Sequence, residues 1–209
     1  MTRLLHISSS PRGAASISQG IANVFLDTYA ASHPNVEIGA FDLWDGSLPA
    51  FGPAAAGAKM AVFGGAAPEG AQAAAWRAAE AVFRRFDAAD RLLFSVPMWN
   101  AGVPYILKQF IDVVSQPGWV FGVDAETGYQ HLLAGKGKKA AVIYTSAVWG
   151  PGVSPAFGSD FHSTFFNDWL RWAGITDISE IRYHPTLTGD AADALRSAHD
   201  QARVAAATF

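Results

Sequence analysis

No cysteine occurs anywhere in the chain, which removes disulfides, thiolate nucleophiles and cysteine-ligated metals from consideration. Charge is scarce too: 16% of residues are charged, and they nearly cancel to a net −3. The one basic cluster, Lys136-Gly-Lys-Lys139, stands just before an apolar strand and reads as a solvated turn. Nucleic acid and anionic membrane are therefore poor partners. No run reaches the roughly 18 apolar residues that would span a bilayer, and Met-Thr-Arg-Leu-Leu-His lacks the long apolar core of a signal peptide. A cytoplasmic protein without membrane insertion is expected. Two phosphate-gripping patterns are also missing, Gly-x-Gly-x-x-Gly and Gly-Lys-Ser/Thr, so phosphoryl transfer is disfavoured. There is no His-Glu-x-x-His or comparable metal spacing, and Gly152-Val-Ser-Pro-Ala156 lacks the last glycine of a nucleophile elbow.

What the chain has is apolar residues, 50% of 209, enough for one well-buried α/β unit over residues 1–209. Strand and helix patterns alternate along it. Arg3–Ile7 reads as a buried strand, and Ile17, Ile21, Val24, Phe25 and Thr28 follow at helical spacing. Val36–Phe41 is a second strand, and Asp42 to about Gly70, rich in alanine, glycine and proline, reads as a long loop. Then come a helix from about Ala71 to Asp87, a strand Arg91–Val96 and a helix after Pro104. Trp119–Phe121 and the region of Tyr129 look like a small excursion. Ala140–Thr145 is a strand, Phe161–Ala173 a helix, Ile175–Tyr183 a strand and Thr188–Ala207 a helix. This alternation implies a doubly wound parallel sheet with helices on both faces, whose ligands sit beyond the strand carboxyl ends.

Two loops would lie there. After the first strand, Ser8-Ser-Ser-Pro-Arg-Gly-Ala-Ala-Ser-Ile-Ser gathers the hydroxyls of Ser10, Ser16 and Ser18 around a helix start. Free N–H groups and the positive end of the helix dipole favour an anion at such a place, and Arg12 could add a charge-assisted contact. A serine-lined loop without a lysine suits a terminal monophosphate that is held rather than transferred, as in flavin mononucleotide (FMN). The same residues would also serve as a polar loop with an N-cap serine. The second loop, Pro97-Met98-Trp99-Asn100, leaves backbone groups without ladder partners beside an aromatic face, a setting for a flat heterocycle. It would equally suit an ordinary strand-to-helix turn.

These residues, with Gly102, Pro104, Leu107, Lys108, Asp112 and Thr145-Ser146, resemble the flavodoxin-like NAD(P)H-dependent oxidoreductases of the azoreductase and quinone reductase type. The resemblance extends over nearly the whole chain. It implies a five-stranded parallel sheet of order 2-1-3-4-5 and FMN as cofactor. It implies Ser10, Ser16 and Ser18 at the phosphate, Pro97, Met98, Trp99 and Asn100 along the ring, and Ser146 at its pyrimidine side. NADH or NADPH would be the electron donor, a small quinone-like or azo aromatic the acceptor, and the protein a homodimer. Two departures concern the substrate side. Ser146-Ala-Val-Trp-Gly150 stands where azoreductases commonly carry paired glycines, and Ala101 where they often carry an aromatic.

Flavin chemistry requires no nucleophile, so the expected roles are modest. Asn100 orients and tunes the ring. His162 is a candidate proton source, although a lone histidine at a helix start is more often structural. Phe121, Trp149 and Trp169 are candidates to line an acceptor slot, with plain core as the other reading for such aromatics. A flavodoxin-like electron carrier or redox sensor is the alternative function.

Overall fold

The computed structural model describes residues 1–209. Its centre is a five-stranded sheet formed by β1 (Arg3–Ser8), β2 (Glu37–Asp42), β3 (Arg91–Pro97), β6 (Lys139–Thr145) and β7 (Asp177–Tyr183), in the order β2-β1-β3-β6-β7 and parallel throughout. Counting only the strands of this sheet, the order is the expected 2-1-3-4-5. The three central strands are buried on both faces, which is why they read as nearly unbroken apolar runs: Leu92, Leu93, Phe94 and Val96 in β3, and Ala140 to Tyr144 in β6. The outer strand β2 buries only Phe41.

Helices cover both faces. On one lie α3 (Gly70–Asp87), α4 (Tyr105–Val114) and α5 (Ser163–Ala173), whose Phe86, Phe110 and Phe166 join Phe94 and Val142 in the larger core. On the other lie α1 (Ile17–Ser32) and α6 (Ala191–Thr208), where Phe25, Tyr29, Ala198 and Ala202 close over Leu4, Leu93 and Ile143. Each fully buried phenylalanine or leucine contributes about 1.5–3 kcal/mol relative to an exposed one. The antiparallel hairpin β4 (Phe121–Asp124) and β5 (Gly128–His131) is the excursion anticipated near Trp119 and Tyr129.

The structure corrects the reading of Asp42 to Gly70 as a long loop. Residues Pro53–Phe63 form α2, with Pro53 in the first turn, where its missing N–H costs nothing. The helix buries only Ala55 and Ala58, so it has no apolar stripe for periodicity to detect. Helix starts also shift. Asp160 accepts from the N–H groups of His162 and Ser163, so α5 begins at Ser163 rather than Phe161. Asp190 accepts from Ala192 and Asp193 and sets the start of α6. The basic cluster is not wholly solvated. Lys138 is buried and donates to the carbonyls of Asp87 and Ala89 at 2.5 and 2.7 Å, capping the end of α3 with a cation where the helix dipole favours one.

Candidate functional site

The carboxyl ends of β1, β3 and β6 converge on one cleft of about 170 Å³, bordered by Ser10, Ser16, Ser18, Pro97, Met98 and Ser146, with Arg12, Tyr183 and Thr186. Its floor is the start of α1. Ser16 is the N-cap: its hydroxyl accepts from the Gln19 N–H at 3.3 Å and lies 3.0 Å from the Ser18 hydroxyl. The N–H groups of Ile17 and Ser18 precede any intrahelical carbonyl and donate to nothing in the chain. Gly13, at φ +51, turns the preceding loop. Ser9 locks that loop to β3, its N–H and hydroxyl both donating to the Ser95 carbonyl at 3.1 and 2.8 Å. Two free N–H groups, two adjacent hydroxyls and a nearby guanidinium form a cradle for a small anion.

The loop after β3 forms the rim. Met98 donates its N–H to the Thr145 carbonyl at 2.8 Å, tying this loop to the end of β6. Trp99 and Gly102 then exchange N–H···O bonds, and the two residues between them, Asn100 and Ala101, sit at φ +48 and +66. Reciprocal bonds around two left-handed residues are the pattern of a primed hairpin turn. Asparagine tolerates that conformation, whereas alanine does so at a cost of about 1–2 kcal/mol. Phe161 secures the turn, donating its N–H to the Ala101 carbonyl at 3.1 Å. Strain held by surrounding bonds is characteristic of functional loops. The loop after β6 is held as firmly. Ser146 donates its N–H to Tyr183 O and its hydroxyl to Trp149 O, while Ala147 O accepts from Thr186 and Leu187. The N–H groups of Asn100, Val148 and Trp149 donate to no group in the chain.

Trp99 faces a partner that the sequence reading missed. The Trp44 indole lies 6.0 Å from Trp99 and 5.2 Å from Tyr105, and its Nε1 donates to the Ser9 carbonyl. Trp44 and Thr186 could have been found by one signal: each follows the carboxyl end of a sheet strand, where ligands of such sheets sit.

Three other candidates are not at the cleft. Trp169 is 7% exposed, stacked on Phe166 and donating its Nε1 to the Ser115 hydroxyl, so it belongs to the core rather than to an acceptor slot. Phe121 packs among Phe63, Tyr129 and Trp172 beside the hairpin. Trp149 rests against His184, with the Arg182 guanidinium 5.9 Å from its ring centre.

His162 lies beneath the rim, 2% exposed, edge-on to Tyr144 and with Nε2 unpartnered. Burial lowers its pKa to about 4, so at neutral pH it is uncharged and a poor proton source. Asp160 beside it has a lowered pKa too, but for a carboxyl this favours the charged form. Burial alone would raise its carboxyl, but hydrogen bonds from Ser163 and His162, with Arg182 nearby, bring it below the usual carboxylate range. Burial, with Glu180 close by, raises the Tyr144 phenol well above its ordinary value. No group of three His, Asp or Glu side chains stands where a metal could be held.

A parallel sheet of this order, with a cradle for an anion at its first helix and a strained rim beside it, defines a doubly wound α/β protein of the flavodoxin kind. A family model described as the flavodoxin-like fold matches residues 2–206, and the chain belongs to that family. A protein of Ruegeria pomeroyi named FMN-dependent NADH:quinone oxidoreductase is 43% identical over 190 residues, spanning 91% of this chain and 92% of its own. One from Burkholderia lata, named FMN-dependent NADH:quinone oxidoreductase 9, is 41% identical over 213 residues and the full length of both chains. Among solved structures, an FMN-dependent NADH-azoreductase from Bacillus anthracis in complex with FMN superposes with a TM-score of 0.90 at 21% identity, covering 100% of this chain and 99% of its own.

Proposed function

We propose that the chain is an FMN-dependent oxidoreductase that takes electrons from NADH, or NADPH, and delivers them to a small quinone-like aromatic acceptor. The observation that carries this reading is the anion cradle at Ser16 and Ser18, whose loop is tied to β3 by the Ser9–Ser95 bonds, standing beside the rim turn at Asn100 and Ala101 that continues from the same strand. The names of the Ruegeria and Burkholderia relatives support the cofactor, the donor and the acceptor class.

The residues fit the group. A cleft of about 170 Å³ is below the roughly 300 Å³ of a pocket that encloses a whole cofactor, but it is adequate for a phosphate and part of a polyol. Ser10, Ser16 and Ser18 hold the phosphate, with the N–H groups of Ile17 and Ser18. Pro97, Met98, Trp99 and Asn100 carry the ring across the rim. Ser146 shapes the loop that brings the free N–H groups of Val148 and Trp149 toward the ring's polar edge, where they would offset negative charge. When bound, FMN accepts a hydride and returns two electrons to the acceptor. The protein's part is to hold one face of the ring and leave the other open.

His162, neutral and enclosed, stays out of this scheme, and water at the open face is the proton source. Exposed Tyr105, Phe161 and Phe165 around the rim support a homodimer whose second subunit completes the acceptor site. No helix is long and apolar enough to cross a membrane, and a single family model running over residues 2–206 supports one unit over 1–209. The electron-carrier alternative is not favoured by the relatives' names.

The test is direct. Protein supplied with FMN is mixed with NADH and benzoquinone, and NADH loss is followed. Many rapid turnovers are expected; a colourless protein that refuses FMN, or one that turns over no faster than free FMN, overturns the reading.

A further inference from the structure

Two polar residues interrupt the most apolar strands of the sheet, His6 in β1 and Ser95 in β3. Both are buried, His6 at 3% exposure, and the His6 Nε2 lies 2.9 Å from the Ser95 hydroxyl. The Ser95 hydroxyl in turn donates to the Ser18 carbonyl at 3.3 Å, and the Ser18 hydroxyl meets that of Ser16 at 3.0 Å. A chain of contacts therefore runs from the middle of the sheet to the first turn of α1. A serine hydroxyl carries one hydrogen. With that hydrogen given to Ser18, the His6 Nε2 must be protonated and donate to Ser95. Burying two polar groups in central strands is costly unless each is satisfied, and here each satisfies the other.

We infer that His6 is a positioning residue for the anion cradle, acting through Ser95 to fix the helix turn whose N–H groups and hydroxyls meet the FMN phosphate. This rests on the FMN reading above. The sheet is the rigid part of the molecule and the serine loop is its attachment. His6 and Ser95 transmit the position of the sheet to Ser18, so the free N–H groups of Ile17 and Ser18 point at a fixed spot. Without the chain, that turn keeps its Ser16 cap but loses its registration against β3. The neutral tautomer suits the task, since it donates without adding a charge. Burial holds His6 in that form at neutral pH, with a pKa lowered to about 4.

The test compares FMN with riboflavin, which has the same ring and no phosphate. Apoprotein is titrated with each flavin by fluorescence, and the phosphorus NMR shift of bound FMN is recorded. His6→Leu is expected to weaken FMN about tenfold, the scale of one lost buried hydrogen bond, while riboflavin affinity changes little. The phosphorus resonance should move with it. His6→Gln, whose amide N–H reaches nearly the same place as Nε2, should restore FMN affinity and the native resonance. Ser95→Ala, a smaller change, carries the same expectation should His6→Leu fail to fold. Equal weakening of both flavins, or unchanged FMN affinity in His6→Leu and Ser95→Ala, overturns the inference and leaves the FMN reading intact. Native protein that binds neither flavin overturns both.

Discussion

Trp99 and Gly102 donate to each other's carbonyls at 2.9 Å in both directions, closing a two-residue turn over Asn100 and Ala101. The turn is fixed by backbone bonds, so substitutions within it separate conformational from chemical effects.

Ala101 at φ +66 is the strained member. Ala101→Val, a branched residue in the left-handed region, should lower stability by about 1–3 kcal/mol. Ala101→Gly should be neutral or stabilising by up to about 1 kcal/mol, the relieved strain being partly offset by a freer unfolded chain. Urea unfolding of the two variants side by side checks the order.

Asn100 at φ +48 is both a permitted left-handed residue and the proposed ring contact. Asn100→Gly keeps the backbone while removing the amide, and is therefore a cleaner probe than Asn100→Ala. Its kcat/KM should fall about tenfold or more, with the free energy of unfolding changed by under about 1 kcal/mol. Parallel losses of stability and turnover would point to a purely structural asparagine.

Ser18 contributes a hydroxyl and a free N–H at the cradle. Ser18→Asp sets a carboxylate against the phosphate, and FMN should dissociate at least about tenfold more readily, an effect that weakens as salt is added. Flavin content after gel filtration at two ionic strengths gives the answer; full retention at low salt would remove Ser18 from the site.

Two buried histidines predict a pH dependence of the apoprotein. Burial brings His6 and His162 to about 4, from an ordinary value near 6.5. Between those values the unfolded chain binds the more protons, so stability is steady above about pH 6.5 and falls as pH drops toward 4. The slope should approach roughly 1.4 kcal/mol per pH unit for each histidine within that window. Denaturant midpoints at pH 7, 6 and 5 measure it, and His6→Gln should flatten the curve.

The legible parts of the molecule were those in which local pattern and final environment agree. β3 and β6 are apolar runs because both faces are buried, and Ser16 precedes a helical stripe because it caps that helix. α2 escaped notice because its alanines carry no directional pattern; Pro53 in its first turn and Gly64 at its end were its punctuation. Trp169 was open to either reading because an aromatic on a helix looks the same from sequence whether it faces Phe166 or a ligand. His6 and Ser95 lie 89 residues apart, so their contact depends on strand order and register, which no local window contains.

The pairing of Trp44 with Trp99 has a spectroscopic consequence. Indole emission overlaps the near-ultraviolet absorption of an isoalloxazine, so a flavin seated on the rim would drain excitation from both rings at once. The other five tryptophans supply a steadier background, two of them, Trp76 and Trp119, paired with each other at 4.5 Å. Ultraviolet-excited dimming would thus give a label-free gauge of occupancy in stopped-flow mixing, with Trp44→Phe and Trp99→Phe tracing the signal to the rim.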